Sequence, residues 1–273
     1  MKMKNPKYKN LLIEWFHDSG VSEITLETRN DYYSQRSQNQ STQKSNEINK
    51  TQKFPNLKES ERVNESQTPK EEIENNDVKS IKNLTGLLKA IKEFKGCDLR
   101  ETAKNLVFGD GNSKSKIMLI GEAPGADEDR LGKPFVGQSG KLLDKMLGFI
   151  NLDRSKIYIT NIVPWRPPGN RQPSKEEIDL YLPFVRKHIE IIEPKIIILL
   201  GSVSAKSILN VSDGITKLRG KWYDYKINNK KIVANVIPTF HPAYLLRSPG
   251  QKEKVWEDLR KIQQKCKNII EIK

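Results

Sequence analysis

The sequence predicts a three-layer α/β/α sandwich on a mostly parallel central sheet of about four strands. Four short apolar runs, residues 116–120, 157–162, 195–200 and 232–237, read as strands. They are nearly continuous in apolar character, as strands covered on both faces are. Helical patterns stand between them, and that alternation builds parallel sheets.

Each element has its own signal. Ahead of the first strand, Leu84, Leu87, Leu88, Ile91 and Phe94 recur at helical spacing. After it, Ser139 is placed to cap a helix over 141–149, and Ser202 to cap one over 203–209. Ser174 and Glu177 have the spacing of a capping box. These elements belong to a core domain over residues 78–273. Residues 29–77 are polar and poor in aromatic or branched apolar side chains. Burial there cannot offset the entropy of ordering the chain, so a disordered linker is expected. Residues 1–28 carry an apolar island at 11–16 that either docks on the core or binds a repair or replication partner.

The formal charge of +14 over 273 residues suits a polyanionic partner. An excess of lysine from coding bias would give the same number. No apolar run reaches the roughly 20 residues that span a bilayer, and no signal-peptide core follows the basic N-terminus. A cytoplasmic monomer without membrane contact is the expectation. The two cysteines, Cys97 and Cys266, are far apart in sequence and form no Cys-x-x-Cys pair.

The informative residues stand where the strands end. The first runs into Gly121-Glu-Ala-Pro-Gly125; the second carries Asn161 and leads to Arg166-Pro-Pro-Gly-Asn-Arg171. The third ends at Gly201, and the fourth at Pro238-Thr-Phe-His-Pro242. Ligands of open α/β sheets bind outside the carboxyl ends of the strands, so a carboxylate, a carboxamide and an imidazole share one rim. The glycines do not make a dinucleotide fingerprint. Gly137-Gln-Ser-Gly-Lys141 is not a phosphate loop, since Leu142 replaces the magnesium-binding hydroxyl. With three histidines in the chain, no metal-ligand cluster is visible either.

These blocks resemble the family-4 uracil-DNA glycosylases. The likeness rests on Gly121-Glu-Ala-Pro-Gly-Ala-Asp-Glu-Asp129, Gly132-Lys-Pro-Phe-Val-Gly137, Thr160-Asn161 with 166–171, Leu218-Arg-Gly220, and His241-Pro-Ala-Tyr-Leu-Leu-Arg247, in the family's order. It implies excision of uracil from single- or double-stranded DNA. Phe135 is then expected to stack on the flipped base and Asn161 to read its edge. Glu128 would wall off the position where thymine carries a methyl. His241 would donate to uracil O2, and Glu122 would orient water and stabilise the cationic sugar. Gly121, Ala123 and Asn170 complete the substrate-binding set. Arg171, Arg219, Leu245, Leu246 and Arg247 are expected at the DNA, with a leucine wedged into the minor groove. Family-1 relatives carry an aspartate where this chain has Ala123, which weakens a strict general-base mechanism.

The family's [4Fe–4S] cluster is held by four cysteines. The matching positions here are Phe94, Cys97, Trp165 and Tyr181, so no cluster and no other cofactor is expected. The three aromatics are instead expected to meet around Cys97 as an apolar plug. Two other functions stay open: a superfamily glycosylase of wider base scope, acting on hypoxanthine or thymine mispairs, and a non-catalytic binder of uracil-containing DNA.

Overall fold

The structure is a computed structural model that describes residues 75–227 and 233–270. The N-terminal segment and most of the linker lie outside the described residues. The helix Asn75–Ser80 begins three residues before the expected core boundary at 78.

Six strands form one sheet: β1 (Asp110–Gly111), β2 (Ile117–Gly121), β3 (Tyr158–Asn161), β4 (Ile196–Leu200), β5 (Tyr223–Lys226) and β6 (Val233–Thr239). Their order is β1-β3-β2-β4-β6-β5. The four expected strands are the central, mutually parallel ones. The expected count of about four is corrected to six by two antiparallel edges, β1 on β3 and β5 on β6. β1 has only two residues and leaves no pattern to read. In β5 the tyrosines are the half-buried positions and Asp224 and Lys226 are exposed, so its only signature was a weak alternation.

Alternate residues of the central strands enter opposite layers, as the period of two requires. Met118 and Ile120 join Leu87, Ile91, Phe184 and Ile189 on one face. Ile117 and Leu119 join Leu143, Met146, Trp256, Leu259 and Ile262 on the other. The first layer is built by the helices Leu84–Glu93 and Lys175–Ile192, the second by Gln138–Gly148 and Lys252–Ile270. Among the described residues no helix is long and apolar enough to cross a membrane.

The expected caps divide. The Ser174 hydroxyl accepts from Glu177 N–H, and the Glu177 carboxylate accepts from Ser174 N–H at 2.7 Å, as the capping box requires. Ser139 and Ser202 are not caps: Gly137 and Gly201 occupy those positions, and the helices begin at Gln138 and Ser202. Both glycines are set by their surroundings. A Cβ at Gly137 would approach the Asp127 carboxylate at 3.1 Å, and one at Gly201 (φ 98°) would lie 3.0 Å from His241 Cβ.

Candidate active site

The carboxyl ends of β2, β3, β4 and β6 open onto a cavity of about 680 Å³, whose walls include Glu122, Phe135, Asn161, His241 and Arg247. Register decides its floor. Gly121 lies opposite Asn161 in the β2–β3 pair. A Cβ at 121 would come within 2.3 Å of Asn161 Oδ1 and 2.6 Å of Phe135 Cζ. Glycine at this place is what lets carboxamide and ring share one floor. Ala123 also lines the cavity.

Asn161 is 4% exposed, and its Oδ1 has no hydrogen-bond partner among the described residues. Leaving a buried acceptor unpaired costs about 1–3 kcal/mol, and a carboxamide that borders a cavity with its acceptor unpaired is suited to a ligand donor. Glu122 lines the same cavity, and burial raises its carboxyl above the usual carboxylate range. A carboxylate shifted this way is a stronger base than one in water.

His241 caps the helix Pro242–Arg247. Its Nδ1 accepts from Ala243 N–H at 3.1 Å. An imidazole nitrogen that accepts a backbone N–H carries no proton, so the ring is the neutral Nε2–H form. Burial, and then the charge of Arg247, push its pKa down to about 4. The residue is half-buried and lines the cavity. Its centroid is 5.6 Å from that of Phe135, with the planes 31° apart.

Phe135 is buried at 4% exposure in a left-handed backbone conformation, φ 54°. Glu128 does not stand free as a wall against the base. Its Oε1 accepts from Val136 N–H at 2.9 Å and Gly137 N–H at 2.8 Å, and Oε2 from Gly125 N–H at 3.2 Å. Glu128 borders the cavity, but its Oε1 is committed to the loop that carries Phe135 and its Oε2 to the start of its own helix.

Around the mouth the expected residues separate. Asn170 (φ 55°) lines the cavity, and its Oδ1 accepts from Arg166 Nε at 2.7 Å. Arg171 is an exposed cavity residue bound through two nitrogens to Glu177, at 2.8 and 2.6 Å. Arg247 is exposed at the mouth, and Leu246 is 46% exposed. Two residues expected at the DNA turn inward instead. Leu245 is fully buried against the layer that holds Trp256, because the short helix must dock through one face. Arg219 is fixed by the fully buried Asp258, with Nε and Nη2 at 3.1 and 2.8 Å from its carboxylate. Asp258 also accepts from Thr239 Oγ1 at 2.7 Å. Arg219 therefore ties the 218–220 turn to the end of β6. Ser202, Thr216 and Tyr244 line the cavity as well; the sequence marked Ser202 only as a cap, Tyr244 only as part of the 241–247 block, and Thr216 not at all.

A family model described as the uracil DNA glycosylase superfamily matches residues 108–260. The chain is similar to the type-4 uracil-DNA glycosylase of Archaeoglobus fulgidus, 40% identical over 190 residues that cover 68% of this chain and 94% of that protein. It is 43% identical over 186 residues to the type-4 uracil-DNA glycosylase of Sulfurisphaera tokodaii, covering 65% of this chain and 84% of that one. With that of Saccharolobus solfataricus the identity is 42% over 187 residues, 67% of this chain and 86% of the relative. The chain belongs to the type-4 uracil-DNA glycosylases.

Type-4 enzymes hold a [4Fe–4S] cluster, and the matching positions here do not fit one. Phe94, Cys97, Trp165 and Tyr181 are all buried in one apolar layer. The Phe94 and Tyr181 rings meet edge to face at 5.6 Å. The Cys97 thiol and the Trp165 indole N–H both lie close to the Tyr181 hydroxyl. By strict geometry neither the indole N–H nor the phenol oxygen completes a hydrogen bond with a described residue. Cys97 supplies one thiol where four thiolates are needed. Cys266 packs in the opposite layer, across the sheet. Among the described residues no group of three His, Cys, Asp or Glu side chains is placed to hold a metal ion.

Proposed function

We infer that this chain flips uracil out of DNA and hydrolyses its N-glycosidic bond, leaving an abasic site. The observation that carries the reading is that Asn161, its Oδ1 unpaired, lines one cavity with Phe135 and the neutral His241. The Asn161 carboxamide accepts from uracil N3–H through Oδ1 and donates to O4 through Nδ2. Cytosine presents the reverse pattern and would leave both groups unpaired, which is a strong basis for rejection. Phe135 stacks on the base.

In the reaction the C1′–N1 bond breaks, its electron pair leaves with the base, and water oxygen bonds to C1′. Negative charge gathers on uracil O2, where His241 Nε2–H donates, and the fixed neutral tautomer needs no reorganisation to do so. Glu122 stabilises the cationic sugar and takes the proton of the attacking water. Ala123 contributes no second carboxylate. Leu246 and Arg247 meet the DNA at the mouth, and the chain acts as a monomer. Matched oligonucleotides carrying uracil, thymine–guanine, hypoxanthine or no lesion test the reading. Cleavable abasic sites at uracil alone are expected. No product at uracil in either single or double strands overturns it, and product at the other bases widens the substrate class.

The chain works without an iron–sulfur cluster, its aromatic plug holding the 166–171 loop where a cluster otherwise would. Protein purified without oxygen should lack the broad absorbance near ~400 nm of iron–thiolate charge transfer and contain no stoichiometric iron. About four iron atoms per chain, the content of one cluster, would refute this.

A further inference from the structure

Phe135 holds a backbone conformation that costs free energy for any residue with a Cβ. Such a conformation persists only when its surroundings fix it, and three groups do so. Glu128 accepts the two amides that follow Phe135. Gly140 leaves room: a Cβ there would sit 1.9 Å from the Phe135 carbonyl oxygen. The third group is Arg154, which lies in the turn before β3 and is not part of the cavity wall.

The Arg154 guanidinium is a hub. Nη2 donates to the Phe135 carbonyl, and Nη1 donates to the Pro134 carbonyl at 3.1 Å. Its other contacts orient the fork: Nη1 to Asp110 Oδ2 at 2.8 Å and Nε to Asp144 Oδ1 at 3.0 Å. Asp110 belongs to edge strand β1, and Asp144 to the helix that begins beyond Phe135. A planar group with five donors in fixed directions can serve two carbonyls and two carboxylates together. Surface pairing alone would not require both carbonyls.

We propose that Arg154 is a positioning residue for base excision, holding the Phe135 backbone in the left-handed conformation that presents its ring to the flipped base. The proposal rests on the stacking role of Phe135. Without the guanidinium, the 134–135 carbonyls lose their anchor and the backbone relaxes toward ordinary φ. The ring then leaves the position between Gly121 and His241. A displacement of about 1 Å is enough to cost rate by one or two orders of magnitude.

The test is a double-mutant cycle on single-turnover excision, with free-uracil inhibition as the second readout. Arg154→Gln should slow excision at least about tenfold and weaken inhibition by free uracil in parallel, with DNA affinity little changed. Arg154→Lys keeps the charge but loses the fork, and should recover little of the rate. In a Phe135→Ala background, Arg154→Gln should add almost nothing, because both substitutions remove one interaction. If the two effects multiply, or Arg154→Gln excises at the wild-type rate, the proposal is overturned while stacking by Phe135 stands. If Phe135→Ala alone leaves the rate unchanged, the stacking reading fails and takes the proposal with it. Should Arg154→Gln not fold, Asp144→Asn frees one side of the fork and is read the same way in the same cycle.

Discussion

Asn161 and Trp165 lie on one short segment, and both bury polar atoms that no described residue pairs: Oδ1 in the first, the indole N–H in the second. Their settings differ. Asn161 faces an open cavity, while Trp165 is packed with Phe94, Cys97 and Tyr181. An unpaired buried group destabilises the fold in either place. Next to a cavity, a ligand can supply the missing partner, so the penalty becomes binding selectivity. Inside packed side chains no ligand can reach, and the group is carried by the apolar area that surrounds it. The same local defect thus marks chemistry in one region and structure in the other.

The largest effect expected on the packed side is on stability. Trp165→Ala removes a ring that is 6% exposed and should cost about 3–5 kcal/mol in denaturant unfolding. The 166–171 loop keeps the Arg166–Asn170 and Arg171–Glu177 contacts, so the folded fraction should still excise uracil. Stability equal to wild type would remove the plug while leaving the excision reading intact.

On the cavity side the effect should invert. Asn161→Ala should slow single-turnover excision by about 10²–10³-fold, the scale of a lost transition-state donor. Its melting temperature should not fall, because an unpaired acceptor has been removed along with a small side chain. A rate within about threefold of wild type, too small for such a donor, would sink the assignment. A large loss of stability would mean that Asn161 belongs with Trp165.

The sequence displayed the first of these regions better than the second, for a physical reason. Glu122, Asn161 and His241 stand at or just after strand ends, where the fold class itself fixes the direction of approach. The central strands were legible because burial on both faces leaves unbroken apolar runs. What it could not display were long-range pairings. Arg219 looked like a DNA contact until Asp258, on the C-terminal helix, took its guanidinium. Glu128 looked free until the turn after Phe135 brought two amides to it. Leu245 and Leu246 are identical in type, and only the docking of their helix buries one and exposes the other.

Two histidines give the comparison a pH dependence. Burial pushes His241 down to about 4 and His188, hydrogen-bonded to the Tyr158 hydroxyl at 2.8 Å, down to about 3. A histidine whose folded pKa lies below its unfolded value of about 6.5 contributes stability that is present above 6.5. That contribution is lost as pH falls toward the folded value. For His241 the span is about 3 kcal/mol at about 1.4 per unit. Thermal stability should therefore fall steadily as pH drops from about 6.5 to 4. His188→Gln should flatten the slope and leave excision alone, while acid should slow excision first as Glu122, its pKa raised by burial, gains a proton and then as His241 does. Stability constant over that window would contradict the neutral assignment of both rings.

The smallest effect belongs to the mouth, where charge is exposed and water screens it. Arg247 is exposed beside Leu246 and faces the cavity opening, whereas Arg219 is held by a buried carboxylate. The two arginines should part in experiment. Arg219→Ala leaves Asp258 buried without its cation, so it should lower stability first and activity only through folding. Among the described residues, Arg247→Ala strands no such buried partner. It should leave the melting temperature unchanged and weaken DNA binding. The slope of log affinity against log salt should fall by about one if its contact is a phosphate. Measured on duplexes with and without uracil, the loss should be nearly the same, since a phosphate contact carries no base information. An unchanged slope together with unchanged affinity would place Arg247 with the inert surface. The wedge at the mouth would then rest on Leu246 alone.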